Sequence, residues 1–339
     1  MQRDWPVLIA DVGGTRLRFA ILAGSDGPMH VLPCMETRDH ASLLQAIRAL
    51  NLSDSSLPEP RWAVIALAAP IDGDSLAMTN LNWNISPQQL LQELGLEAIV
   101  ILNDFEAIAL ALPALEPDHL EQIGSGTPDI SSPMVAFGPG TGLGVSGVIP
   151  SSNCWIPLAS QGGHVSLGPH TKQEWKIWPH LTDMDQTSGI EAEDLLCGRG
   201  LVRLANAVAA SMNRPVHFTV PEDIAISAKS GEEISSCTVR IFTELLGRLA
   251  SDIALTLLAR GGLYLTGGVV TKLDRFLFDG SFRRSFENKP VHRDLISRIP
   301  TFLIRHELPA LYGIQSYLRN PEAYRVELQN RTWRVLTLS

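Results

Sequence analysis

Two stretches of this chain repeat one design: residues 8–22, LIADVGGTRLRFAIL, and residues 134–149, MVAFGPGTGLGVSGVI. Each is an apolar run, a glycine-rich bend carrying Gly-Thr, and an alternating apolar stretch, which reads as strand, tight turn, strand. In the first, the apolar run ends in Asp11 and the bend is Gly13-Gly14-Thr15; in the second, the bend contains Gly140-Thr141. Glycine tolerates positive φ and lets another group approach the backbone closely. Such a bend therefore offers N–H groups and a threonine hydroxyl to phosphate oxygens, with Asp11 facing the same point. A Gly-Gly turn taken alone is also an ordinary hairpin turn. Two copies imply two related lobes, and together they read as a clamp on the β- and γ-phosphates of a nucleotide. The second copy also spells G-x-G-x-x-G at Gly142, Gly144 and Gly147. A dinucleotide fold is excluded there, because Val148-Ile149-Pro150 and a polar turn follow where a helix must begin.

A duplicated hairpin in 339 residues predicts two domains, each large enough to bury its own core. With 45% hydrophobic and 19% charged residues the composition is that of an ordinary soluble globule. A net charge of −9 argues against nucleic acid or an anionic membrane as partner. Cys34, Cys154, Cys197 and Cys237 are scattered, without C-x-x-C or a histidine at ligand spacing, so neither a zinc site nor a disulfide framework is expected. The first apolar stretch is too short for a signal peptide, and the apolar region 245–270 is broken by Arg248, Asp252 and Arg260. A cytoplasmic protein with no membrane and no nucleic-acid partner is expected. No G-x-x-x-x-G-K-[ST] occurs, which removes a Walker-type ATPase.

Helical patterns cover residues 41–50, 105–112, 201–212, 222–229, 232–259 and 309–318. Another helix is announced by Ser86-Pro87, serine as N-cap and proline at the first position, and stopped at Gly95. Strands are predicted at 62–69, 98–102 and 301–304, and residues 261–270, GGLYLTGGVV, read as a strand entering a Gly-Gly turn. Ser188 and Glu191 are spaced as a capping box. Residues 160–169 read as a glycine-rich loop, and 324–338 alternate enough for an edge strand or a dimer arm. Asn103-Asp104 stand where a buried strand ends and a helix begins, where either side chain would serve as a cap.

From Leu8 to about Leu318 the chain resembles the proteobacterial-type glucokinases, bacterial hexose kinases of the actin/hexokinase fold. The matching motifs, in family order, are DVGGTRLR at 11–18, PIDGDSLAMTNLNW at 70–83, NDFEAIALALP at 103–113, GPGTGLGV at 138–145, GGHV at 162–165, EDLLCGRGLV at 193–202 and GGLYLTGG at 261–268. The resemblance implies an α/β, two-lobed actin/hexokinase-like (ribonuclease H-like) fold with a central cleft. It implies a small lobe of residues 1–114 plus a C-terminal helix at about 305–319, a large lobe of 115–304, and a tail of 320–339. It further implies ATP-dependent phosphorylation of glucose or a related hexose, with Mg2+, by a homodimer.

Phosphoryl transfer asks a protein chiefly for positioning and charge stabilisation, and for a carboxylate that orients the attacking hydroxyl and takes its proton. The resemblance gives that role to Asp104. It makes Asn103, Gln161, His164 and Glu193 sugar contacts, although a histidine beside glycines and an acid in a first helical turn otherwise read as structural. Gly13, Gly14, Thr15, Gly140 and Thr141 would hold phosphates, Asp11 would reach magnesium through water, and Gly267 and Gly268 match the adenosine motif. Three positions depart from the family pattern: Gln161 stands where glutamate is usual, Ser166 where an acid is common, and Arg16 where asparagine is usual. They keep open a second reading, a sugar-binding paralogue with weak or altered kinase activity that acts as a regulator.

Overall fold

The computed structural model describes residues 5–52, 57–78, 81–181 and 189–335. The chain opens with β1 (Val7–Val12), β2 (Arg16–Leu22), β3 (Met29–Val31), β4 (Met35–Glu36), α1 (Leu43–Ala49), β5 (Trp62–Leu67), β6 (Leu76–Ala77), β7 (Asn84–Ile85), α2 (Pro87–Glu93), β8 (Ala98–Asn103) and α3 (Asp104–Ala111). It continues through β9 (Leu120–Ile123), β10 (Met134–Pro139), β11 (Leu143–Ser151), β12 (Cys154–Leu158), α4 (Lys172–Ile177), α5 (Ala192–Leu195), α6 (Gly198–Ser211), α7 (Pro221–Lys229) and α8 (Glu233–Leu257). Then come β13 (Gly262–Leu265), α9 (Gly268–Lys272), α10 (Asp274–Leu277), α11 (Ser281–Phe286), α12 (Arg293–Arg298), β14 (Thr301–Ile304), α13 (Pro309–Arg319) and β15 (Thr332–Arg334).

The chain divides into two units: Met1–Glu116, Ser146–Ala159 and His306–Ser339 form one, Pro117–Val145 and Ser160–Arg305 the other. The sequence division differs in two places. It gave all of 115–304 to the large lobe, whereas Ser146–Ala159 groups with the first unit, where Trp155 bridges to Tyr324 and its carbonyl accepts from Arg325 N–H at 2.9 Å. It also set the tail apart, whereas β15 is an antiparallel edge strand on β8. The expected tail strand shortens to Thr332–Arg334, and its end at residues 336–338 lies outside the described residues.

In the first unit the sheet order is β15-β8-β5-β1-β2-β3, with β4 also on β2. β1, β5 and β8 are parallel and almost wholly apolar, as strands covered on both faces must be. Helix α2 begins at Ser86, whose hydroxyl accepts from Gln89 N–H at 3.3 Å, and ends before Gly95 at φ +65°. α3 and α13 cross at Gly313, where a Cβ would stand 1.9 Å from the Ala107 carbonyl oxygen, so only glycine permits the approach.

The other sheet runs β12-β11-β10-β13-β14-β9, with β10, β13 and β14 parallel. Chain order along β3-β2-β1-β5-β8 is thus repeated along β12-β11-β10-β13-β14. Each series is closed by one antiparallel strand, β15 on β8 and β9 on β14. The duplication seen in the two hairpins is a duplication of a whole sheet. In the second unit α8 packs with α6, α7 and α11 over an apolar core that includes Phe242, Leu246, Phe282 and Phe286. The anticipated capping box at Ser188 has its serine outside the described residues; the N-cap of α5 is Glu191, whose N–H donates to Asp194 Oδ2 at 2.9 Å. Elements without a sequence expectation are β3, β4, β6, β7, β9, β12, α4, α11 and α12, of which α4 is capped by Thr171, and the strand expected over 261–270 is β13 alone, with α9 opening at its Gly-Gly turn. Among the described residues no helix is long and apolar enough to cross a membrane.

Candidate active site

Parallel pairing in the first unit sets Asp11, Ala66 and Leu102 side by side, with Leu67 beside Asn103. The carboxyl ends of parallel strands are where α/β sheets bind ligands. Asn103 closes β8 and Asp104 opens α3. The Asn103 Oδ1 accepts from the N–H groups of Phe105 at 3.0 Å and Glu106 at 3.2 Å, and its Nδ2 donates to the Ala69 carbonyl at 3.4 Å. Asn103 is therefore the helix cap, and its amide is engaged at both ends. Asp104 Oδ1 accepts from Phe105 N–H at 2.9 Å. Burial, and after it the charge of Asp11, raise Asp104 to about 7, against opposing hydrogen bonds from Phe105 and Asn103.

Asp11 is itself pushed up by burial, and Arg18 pulls it back through a bond from Nη1 to Oδ2 at 2.8 Å. The sequence reading missed Arg18. Hairpin register could have found it: a bend at Gly13–Thr15 that pairs Val12 with Leu17 must pair Asp11 with Arg18. In the bend, Gly13 N–H donates to Arg16 O at 3.1 Å, and the Thr37 hydroxyl donates to Gly13 O at 3.0 Å. The Gly13 amide thus closes the turn and is not among the N–H groups it offers. Gly14 is partly buried and Thr15 exposed.

The second unit closes its bend more tightly, with Gly140 N–H donating to Gly142 O at 2.7 Å, and adds a side-chain prop. Glu193 is 7% exposed, and its carboxylate accepts from Leu143 N–H at 2.8 Å on Oε2 and from Arg199 Nη2 at 2.6 Å on Oε1. A Cβ on Gly142 would lie 2.5 Å from that Oε2. Glu193, expected to touch sugar, holds the bend through Oε2 while Oε1 meets Arg199, and neither Arg199 nor this prop was anticipated. Gly163 packs on the same hairpin, its absent Cβ falling 2.1 Å from Leu143 O.

Beyond that glycine, His164 is exposed with Nδ1 2.7 Å from Glu191 Oε2, and Gln161 has an exposed side chain and a carbonyl that accepts from His164 N–H at 3.0 Å. Thr141 is exposed. Gly267, at φ +105°, lies against β10 so closely that a Cβ would stand 2.5 Å from Pro139 O, while Gly268 has open space on that side. The first unit therefore gathers Asp11, Gly13, Gly14, Thr15, Asn103 and Asp104. The second gathers Gly140, Thr141, Gln161, His164, Glu193, Gly267 and Gly268.

The family model described as Glucokinase matches residues 8–321. The chain belongs to the glucokinase family. It is 40% identical over 333 residues to the glucokinase of Chelativorans sp. (strain BNC1), covering 98% of this chain and 96% of that one. The glucokinase of Brucella suis biovar 1 (strain 1330) is 37% identical over 332 residues, again 98% and 96% of the two chains. Among solved structures, a glucokinase from an Antarctic psychrotroph superposes with a TM-score of 0.78 at 29% identity, over 93% of this chain and 99% of the other. A glucokinase from Balamuthia mandrillaris in complex with glucose gives 0.80 at 20% identity, over 93% of each chain, which speaks for the fold. The architecture is accordingly the actin/hexokinase-like α/β fold, and the glucokinase motifs are the segments that form its bends and strand ends.

Among the described residues no group of three or more His, Cys, Asp or Glu is placed to cage a metal ion. Magnesium that keeps most of its waters and binds mainly through a triphosphate needs only one or two carboxylates. Asp11, with Oδ2 held by Arg18 and Asp104 near enough to feel its charge, fits that outer role.

Proposed function

We propose that this chain phosphorylates glucose with ATP. A sugar hydroxyl oxygen attacks the γ-phosphorus, the new O–P bond forms as the bond to the β–γ bridging oxygen breaks, and the hydroxyl proton passes to Asp104. The observation that carries this reading is Asp104 at the carboxyl end of β8, relieved of capping by Asn103 and raised to about 7. A base is most effective when its pKa lies near the working pH. Thr15, Thr141 and the two glycine bends bind the phosphates, and Gly267-Gly268 receives the adenosine. Gln161 and His164 contact the sugar, and Glu193 keeps the second bend in shape. Magnesium arriving with the triphosphate would neutralise its charge, with Asp11 reaching it through water.

A coupled assay with ATP, magnesium and a panel of hexoses should give its highest kcat/KM with glucose. Asp104→Asn keeps the shape of the side chain but cannot take the proton, so kcat should fall ~10²–10⁴-fold with little change in KM for glucose. A variant that keeps most of its turnover removes Asp104 as the base. A parent protein that binds glucose but turns over no hexose would replace the kinase reading with the regulatory one.

A further inference from the structure

We propose that Glu191 is a positioning residue for His164, fixing which ring nitrogen carries the proton so that Nε2 meets a sugar hydroxyl as an acceptor. The proposal rests on the reading of His164 as a sugar contact. The deciding contact is the 2.7 Å approach of His164 Nδ1 to Glu191 Oε2. An ionised carboxylate can only accept, so Nδ1 must carry the hydrogen, and in the neutral ring Nε2 is then left with its lone pair. Metal-bound histidines are oriented by the same device, a carboxylate on the far nitrogen. A histidine without such a partner exchanges the two tautomers and presents Nε2 as donor and acceptor in turn.

Both partners are held by backbone rather than left to find each other. Glu191 forms an antiparallel bridge with Ser166, flanked by Leu167 N–H to Ile190 O at 2.8 Å and Ala192 N–H to Val165 O at 2.9 Å. Its own N–H donates to Asp194 Oδ2 at 2.9 Å, and Asp194 is paired with Arg203 at 3.2 Å. On the other side, His164 ends a single helical turn, its N–H bound to Gln161 O, with Gly163 seated on the hairpin. The two side chains are 42% and 49% exposed, and a pair so open to water adds little to stability. What it does supply is polarity. Gln161 can turn either end of its amide to a hydroxyl, whereas His164 held by Glu191 is an acceptor of fixed sense.

The test uses the full chain labelled with ¹⁵N-histidine, and reads the His164 tautomer from long-range ¹H–¹⁵N correlations alongside glucose kinetics in the parent, Glu191→Gln and His164→Ala. The parent should show Nδ1–H and a bare Nε2. Glu191→Gln, whose amide can donate as well as accept, should show a mixture, with KM for glucose raised about fivefold, a smaller change in kcat, and an unchanged thermal midpoint. A bare Nδ1 in the parent, or an unaltered tautomer in Glu191→Gln, overturns the proposal. So does an unchanged glucose KM in Glu191→Gln when His164→Ala raises it. If His164→Ala itself leaves the glucose KM unchanged, the sugar-contact reading has failed, which is a different result.

Discussion

Above neutral pH the folded chain holds an ionised Asp104 in a place that raises its pKa from 3.8 to about 7. Because the folded value lies above the unfolded one, the group contributes most to stability below the unfolded pKa and loses that contribution as pH rises through about 7. Asp104→Asn has no charge to bury, so it should be more stable than the parent at about pH 8, by on the order of 1–2 kcal/mol, and no more stable at about pH 4. That figure is well below the whole shift, since the residue is only partly buried. Urea unfolding at the two pH values measures the difference, and a variant less stable at both would mean that the carboxylate is a structural anchor. With Asp104 as the proposed base, the same pKa would set the acid limb of catalysis: only the carboxylate accepts a proton, so kcat/KM should fall about tenfold per pH unit below about 7. An activity flat down to about pH 5 would contradict the raised value.

Helix α3 is tied to the C-terminal segment as well as to its strand. Glu106, two residues beyond Asp104 on that helix, is 2% exposed, and both its oxygens accept from Arg331 Nη1 at 3.0 and 2.7 Å. Burial raises the Glu106 pKa and Arg331 opposes it. The Arg331 carbonyl meanwhile accepts from Ile101 N–H at 3.0 Å, just before β15 pairs with β8. Removing one partner of a buried pair leaves an uncompensated charge, so Arg331→Met should cost ~3–5 kcal/mol, while the double variant Glu106→Gln/Arg331→Met should recover most of the loss. Urea denaturation of the four proteins in this cycle measures the coupling. A cost under about 1 kcal/mol for Arg331→Met would show that the pair is no more than a surface contact.

At the scale of the molecule, two sheets of one topology carry separate apolar clusters with no residue in common. A ligand that binds only the folded chain stabilises it by mass action, so glucose at about 100 times its Kd should add ~2.7 kcal/mol, seen as a raised Tm. Asp104→Asn should show the same glucose shift while lacking turnover, and a variant that loses both has lost binding rather than the base. Legible in the chain alone were the two glycine-bent hairpins, the Ser86-Pro87 helix start, the long helix after Glu232, the strand ending at Asn103-Asp104, and the family. Each of these is written in neighbours a few residues apart, where strand and helix periods and turn chemistry act. Asp11 with Arg18 was within that reach too, had the hairpin been counted outward from its bend. Long-range contacts settle that Asn103 and not Asp104 caps α3, that Glu193 props the Leu143 bend, that Glu191 meets His164, that Arg331 pairs with Glu106, and that Ser146–Ala159 groups with the first unit. A choice between adjacent caps depends on the carbonyl of Ala69 brought alongside, and the other pairings join positions that meet only after the chain has returned on itself. Local pattern fixes which face a residue turns, but which partner it finds there is set by packing.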